Sequence, residues 1–111
     1  MKVNPFPITQ QHNGWLISWP GFRNISRVEN KHKLADLIFN SIGAQEVRFG
    51  VRLDGETEFL HIRSVDWALK DALLDQYDIT GVLFDSERSA TELQDYLEKR
   101  LMWRQLSRPS T

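Results

Sequence analysis

The sequence predicts a single α+β domain with a mainly antiparallel sheet. Three observations predict this class. Apolar residues follow helical spacing in three segments, apolar residues alternate around an Asp-Gly turn, and the length of 111 residues is close to the usual size of one domain. Apolar residues make up 41% of the chain, with four Trp and six Phe, so packing alone can build the core. We expect residues 1–7 and 107–111 to be flexible ends.

The first predicted element is a hairpin near the N-terminus. Asn13-Gly14 is typical of a type I′ turn, because both residues tolerate positive φ. Residues 15–19, which follow, are rich in aromatic and β-branched side chains, as strands are. Pro5 and Pro7 cannot donate to a sheet, so the preceding strand, over residues 8–12, is expected to be short or at an edge.

The first helix is predicted to begin between two candidate caps, Ser26 and Asn30, and to end at Gly43 in a left-handed cap. The apolar residues at helical spacing within it are Val28, Leu34, Ala35, Ile38, Phe39 and Ile42.

A central hairpin is predicted next, closed by the dipeptide Asp54-Gly55. The pairs expected on its core face are Leu53–Glu56, Phe49–Leu60 and Val47–Ile62. The pairs expected on its outer face are Arg52–Thr57, Gly50–Phe59 and Arg48–His61.

Two more helices follow, separated by a strand over residues 79–84. Ser64 is the predicted cap of a helix from Val65 to about Tyr77. Its predicted inward residues are Val65, Ala68, Leu69, Ala72 and Leu73, and its predicted outward residues are Asp66, Lys70, Asp71 and Asp75. Ser89 and Glu92 form the predicted capping box of a last helix. That helix is expected to continue through Leu93, Leu97, Leu101 and Leu106.

Without the short first strand, the element order is β-α-β-β-α-β followed by a helix. This is the ferredoxin-like order, and it is the architecture we expect, with a C-terminal helix added. Counting the N-terminal hairpin in full adds one strand, and the helices could then all pack on one face of the sheet in another topology.

The composition excludes several classes of protein. The chain has no Cys, so disulfides, thiolate metal sites and Cys nucleophiles are excluded. The N-terminus lacks the apolar run of a signal peptide, and no stretch approaches the roughly 18 apolar residues of a membrane span. The sequence therefore predicts a cytoplasmic protein without a membrane partner.

Catalytic motifs are missing from the sequence. It contains no P-loop, no dinucleotide-binding glycine pattern, no Gly-x-Ser-x-Gly and no His-Glu-x-x-His. His12, His32 and His61 lie in different predicted elements without metal-ligand spacing. We therefore predict a protein that is not an enzyme and that holds no metal or cofactor.

The net charge of −1 is unevenly distributed. Residues 1–55 carry +3, residues 56–98 carry −8 and residues 99–111 carry +4. Acidic side chains from successive elements can share one surface that attracts a basic partner, although an ordinary solvated surface has the same composition. The residues predicted to bind a partner protein are Asp66, Asp71, Asp75, Asp78, Asp85 and Glu87.

The outer face of the central hairpin carries Arg48, Arg52, Phe59 and His61. Aromatic and basic side chains on one sheet face are typical of surfaces that stack single-stranded nucleic acid. In the alternative interpretation, Phe59 shields the bare backbone of Gly50 and the last helix covers this face.

Two functional hypotheses follow from these surfaces. The first is a non-enzymatic regulator, adaptor or inhibitor that docks on the basic surface of a nucleic-acid-handling protein. The second is a single-stranded nucleic-acid-binding module that uses the outer hairpin face. The oligomeric state does not follow from the sequence.

Overall fold

The computed structural model describes residues 6–18 and 28–99, which form five strands and three helices. The strands are β1 (Ile8–Gln11), β2 (Gly14–Ser18), β3 (Glu46–Leu53), β4 (Glu56–Arg63) and β5 (Ile79–Phe84). The helices are α1 (Val28–Asp36), which continues into a π-helical turn over Leu37–Ser41, α2 (Trp67–Gln76) and α3 (Glu87–Lys99). Within these residues, no helix is both long and apolar enough to cross a membrane.

The five strands form one sheet in the order β1-β2-β5-β3-β4, and every neighbouring pair is antiparallel. It follows that β2 and β3 run parallel with β5 between them, and that β4 and β5 run parallel with β3 between them. The segments containing α1 and α2 make these two crossovers. The α+β class and the antiparallel sheet are therefore confirmed, whereas the observed strand order does not confirm the ferredoxin-like order.

The helices pack against one face of the sheet and form a single core with it. The main contributors from the strands are Ile17, Val47, Phe49, Ile62, Val82 and Phe84, and those from the helices are Leu34, Ile38, Leu74, Leu93 and Leu97. Phe39 meets Phe49 edge-on across this interface, with ring centroids 6.2 Å apart. Because α3 packs mainly over β1, β2 and β5, its described part lies away from the outer hairpin face.

Phe6, which precedes β1, joins the same core. Phe6 is buried, and its carbonyl oxygen accepts a 2.8 Å hydrogen bond from Nε2 of Gln94 on α3. Residues 1–5 and 107–111, which make up most of the ends predicted to be flexible, lie outside the described residues.

The turn of the central hairpin is confirmed. Asp54 and Gly55 both have positive φ, 52° and 81°, as a type I′ turn requires. The register from Leu53–Glu56 to Val47–Ile62 is the predicted one, and so are the pairs on the outer face.

The turn of the N-terminal hairpin was predicted wrongly. Gln11 pairs with Gly14, so the two turn residues are His12 and Asn13, and Asn13 does not have a positive φ. Gly14 has a φ of 149° and lies where β2 approaches β5 closely. A Cβ at this position would overlap the carbonyl oxygen of Phe84, which explains the need for glycine better than a turn does.

The ends of α1 and α3 differ in part from the predictions. Ser26 lies outside the described residues, and Val28 is exposed instead of inward. The left-handed Gly43 after the π-helical turn is confirmed by its φ of 81°. The cap of α3 is Ser86 and not Ser89, because Oγ of Ser86 accepts a 3.1 Å hydrogen bond from the Ser89 backbone N–H.

On α3, Leu93 and Leu97 are buried as predicted. The predicted continuation of this helix through Leu101 and Leu106 lies outside the described residues.

The inward side of α2 is not the predicted one. The helix begins at Trp67, with Asp66 as its N-cap residue, and the buried residues on it are Lys70, Leu73 and Leu74. Among those predicted to face inward, Leu73 is confirmed, whereas Val65, Ala68, Leu69 and Ala72 are exposed. The prediction failed because α2 carries apolar residues on two sides, and periodicity alone does not select between them.

Candidate binding surfaces

Asp71 and Asp75 lie one turn apart on the exposed side of α2, as predicted. Both carboxylates face His32 on α1. The distance from His32 Nδ1 to Asp71 Oδ1 is 3.9 Å, and the distance from His32 Nε2 to Asp75 Oδ1 is 3.6 Å. More than half of each Asp side chain remains exposed, so the two form an anionic face with one imidazole beside it.

Trp67 is 69% exposed, the highest value among the large apolar side chains of the described residues. The Lys70 ammonium lies 4.8 Å from the centroid of the Trp67 ring and 5.8 Å from that of Phe39. Lys70 is only 9% exposed, and these rings compensate for part of the hydration that its charge loses. The Lys70 ammonium contacts one side of the indole, and the rest of the ring is exposed to solvent. Trp67 lies one helical turn before Asp71, on the same side of α2.

Asp66 is paired with Arg63 at the start of α2. Arg63 donates from Nε to Oδ2 of Asp66 at 3.1 Å and from a terminal nitrogen to Oδ1 at 3.2 Å. These hydrogen bonds lower the pKa of Asp66 and raise the pKa of Arg63. Asp66 is therefore ionised, but Arg63 neutralises its charge locally, and it adds little to the anionic face.

The other predicted acidic residues are spread over the fold. Asp78 precedes β5, whereas Asp85 and Glu87 follow it, so they lie at opposite ends of a strand about 20 Å long. The structure thus brings Asp71 and Asp75 together and separates Asp78 from Asp85 and Glu87.

Arg48, Arg52, Phe59 and His61 lie on one face of the β3–β4 hairpin, on the side away from the core. A terminal nitrogen of Arg52 donates to the carbonyl oxygen of Gly55 at 3.2 Å. Nε2 of His61 lies 3.2 Å from Oε2 of Glu46, so a carboxylate belongs to the same face. Arg48 is half-buried, whereas Arg52 and His61 are exposed.

The ring of Phe59 lies over the backbone of Gly50, its cross-strand partner. Cε1 of Phe59 is 3.3 Å from the position that a Cβ on Gly50 would take, and Oγ1 of Thr80 is 2.9 Å from it. Phe59 nevertheless remains 38% exposed. Phe59 therefore shields Gly50, as the alternative interpretation predicted, and still presents part of its ring to solvent.

A groove of about 310 Å³ lies between β4 and α2. Its lining is mostly apolar and consists of Leu60, His61, Ile62, Leu69, Ala72, Leu73, Gln76 and Tyr77. No predicted site contains this groove, because Leu69 and Ala72 were assigned to the core. The helical spacing of Leu69 and Ala72 was the signal that could have indicated it.

His12, His32 and His61 lie in the β1–β2 turn, on α1 and on β4 respectively. In residues 6–18 and 28–99, no three His, Asp or Glu side chains form a group that could hold a metal ion. No protein-family model, curated protein or solved structure matches the chain. Function is therefore inferred from the surfaces themselves.

Proposed function

We propose that this domain is a non-enzymatic regulator that binds another protein through the exposed side of α2. The observation that carries the proposal is Trp67, an exposed aromatic side chain on the same helix as Asp71 and Asp75. An aromatic ring that becomes buried supplies affinity, and carboxylates around it steer a basic partner into place.

The packing of α2 supports this role. Leu73 and Leu74 anchor the helix in the core, and Lys70 holds one side of the Trp67 ring. Binding therefore orders few side chains, which keeps the entropic cost of association low.

The charge of this side of α2 indicates the class of partner. The carboxylates of Asp71 and Asp75 would repel phosphate and attract Lys or Arg. Proteins that handle nucleic acid carry basic surfaces of this kind. An inhibitor or adaptor that occupies such a surface is the function most consistent with α2.

Site-specific photocrosslinking in the host cell tests the proposal. A photoreactive amino acid replaces Trp67 in one variant and, as the matched control, exposed Thr57 on the opposite sheet face in another. We expect a crosslinked protein from position 67 that position 57 does not capture.

The captured protein is then purified and titrated with the full chain. Reversing charge with Asp71→Lys and Asp75→Lys should weaken binding about tenfold or more, and added salt should slow association. The matched control, Asp85→Lys with Glu87→Lys, changes net charge equally at a different place and should have a much smaller effect. Affinity that responds equally to both double variants, or to neither, contradicts the proposal.

A second candidate function is binding of single-stranded nucleic acid by the outer hairpin face. It is favoured by the partly exposed ring of Phe59, which lies on the same sheet face as the exposed Arg52 and His61. Labelled mixed-sequence single-stranded DNA and RNA should then bind at low salt, with an affinity that falls steeply as salt rises.

Two variants show whether nucleic acid binds to the outer hairpin face or to α2. Phe59→Leu should weaken nucleic-acid binding while retaining some cover over Gly50, whereas Trp67→Ala should leave it unchanged. Absence of binding at low salt removes this second candidate.

A further inference from the structure

Leu69 and Ala72 form an apolar stripe on one side of α2 that the described chain leaves uncovered. Leu69 is 53% exposed, Ala72 is exposed one turn later, and Val65, in the turn that precedes the helix, is 67% exposed. Leu69 and Ala72 border the groove beside Leu60 of β4. Single exposed apolar residues are common, but a stripe at helical spacing beside an apolar groove is what a helix presents to a packing partner.

The strand beside this stripe, β4, is an edge strand. Its eight residues pair with β3 on one side, and none of the described strands pairs with its other side. A long edge of this kind is a template for another strand, because its outer N–H and C=O groups have no partner in the sheet.

The turn geometry shows which backbone groups point outward from β4. A two-residue turn makes Leu53–Glu56 a hydrogen-bonded pair, and such pairs alternate along an antiparallel hairpin. The residues whose N–H and C=O point away from β3 are Thr57, Phe59, His61 and Arg63. Ser64 follows the same alternation, because its N–H points inward and donates to the Gln45 carbonyl at 2.8 Å.

We propose that two copies of this chain associate through β4, edge to edge and antiparallel, with a two-fold axis at Leu60. The four outward residues are spaced symmetrically about Leu60. This register pairs Phe59 with His61 of the second copy and Thr57 with Arg63 of the second copy. In this register every outward N–H and C=O of both β4 strands forms a hydrogen bond. A register shifted by two residues leaves some of these groups without a partner on the other β4 strand.

The side chains suit the same register. Leu60 faces Leu60 of the second copy and Glu58 faces Ile62 of the second copy, so no like charges stand directly opposite each other. A two-fold axis perpendicular to the sheet keeps both α2 helices on the same sheet face. The stripes of Leu69 and Ala72 from the two copies then face each other above Leu60, and one self-complementary contact covers both the edge and the stripe.

This interface is separate from the one in the proposed function. Asp71 and Asp75 face His32 on α1, away from β4, and stay accessible in the pair of copies. Self-association and partner binding can therefore fail independently.

The mass of the full chain in solution is the first test. Light scattering after gel filtration, over about 1 to 500 µM, should show twice the mass of one chain, with dissociation on dilution. Leu69→Glu places two carboxylates in the apolar contact and should weaken association about 100-fold or more. Val28→Glu, the matched change at an exposed aliphatic residue of α1, should leave association unchanged.

A disulfide probe gives the register directly, because the chain has no cysteine. In the proposed register, Leu60 faces Leu60 of the second copy in a non-hydrogen-bonded pair. The two Cα atoms of such a pair are about 4.5 Å apart, a distance that a disulfide can bridge. Leu60→Cys should therefore give a covalent dimer on mild oxidation, and Leu53→Cys at the exposed hairpin tip should not.

Three results would overturn the proposal. They are a monomer at the highest concentration, a dimer that persists in the folded Leu69→Glu variant, and equal crosslinking at positions 60 and 53. Circular dichroism of each variant confirms that it is folded before its mass is interpreted.

Discussion

The ammonium group of Lys31 donates a 2.8 Å hydrogen bond to the backbone carbonyl oxygen of Tyr77, 46 residues further along the chain. Tyr77 is the C-cap residue of α2, so this bond ties α1 to the end of α2 where backbone carbonyls have no partner within the helix. Lys31 is only 2% exposed. Its charge lies where the partial negative charge of the helix end offsets some of the cost of burial.

Replacing Lys31 tests the value of this link. Lys31→Met keeps most of the side-chain volume but leaves the Tyr77 carbonyl without its donor, and it should lower the free energy of unfolding by about 1–3 kcal/mol. Lys33→Met, at an exposed position of the same helix, should stay within about 0.5 kcal/mol of the wild type. Equal urea midpoints for the two variants would contradict the contact.

Gly14 and Gly55 should respond differently to alanine. Both have positive φ, but a Cβ at Gly55 meets nothing within 4 Å, whereas a Cβ at Gly14 would overlap the backbone of Phe84. Gly55→Ala should therefore cost about 1–2 kcal/mol from its left-handed backbone. Gly14→Ala should cost about 1–3 kcal/mol more, because β2 must also move away from β5. Thermal unfolding of both variants measures the difference, and equal melting temperatures would show that β2 does not approach β5 this closely.

The Arg63–Asp66 pair predicts a pH dependence of stability. The pKa of Asp66 is lowered in the folded state, so its contribution is present above the ordinary carboxyl pKa and is lost as pH falls through the folded-state value. Asp66→Asn should therefore be less stable than the wild type at neutral pH, and the difference should shrink on acidification. Denaturant unfolding across that range measures it.

Arg63→Gln provides the control for this pH effect. In that background, Asp66→Asn should have a smaller effect at neutral pH, because the partner that lowers the pKa is gone. An unchanged effect of Asp66→Asn would mean that Asp66 acts mainly on the N-terminus of α2 and not through Arg63.

The start of α3 gives a direct comparison of two serines. Ser86→Ala removes the acceptor for the Ser89 N–H and should cost about 1 kcal/mol, as loss of an N-cap does. Ser89→Ala removes only the 3.3 Å hydrogen bond that its own Oγ accepts from Ser86, and it should cost less. If chemical denaturation gives the reverse order, the helix begins at the later serine.

Much of the hairpin and its outer face could be predicted from the sequence. The type I′ turn at Asp54-Gly55 depends on residues next to each other, and two-residue alternation then assigns each side chain to a face. The cluster of Arg48, Arg52, Phe59 and His61 and the position of Phe59 over Gly50 follow from these local rules. The pairing of Asp71 and Asp75 on one side of α2 follows in the same way from helical spacing.

Other features depend on what packs from distant parts of the chain. Leu69 and Leu73 satisfy the same periodicity, and burial of Leu73 depends on the strands beneath α2, which periodicity does not identify. Lys70 lies on the buried side of α2 with Leu73 and Leu74, and its ammonium lies beside the rings of Trp67 and Phe39.

The sequence by itself determined the α+β class, the central hairpin and its register, because turn chemistry and side-chain alternation act between neighbouring residues. The tertiary structure alone decided the strand order and the meeting of His32 with Asp71 and Asp75. These depend on pairing between segments far apart in the chain. Such pairing is selected by the packing of the whole core and not by the spacing within any one segment.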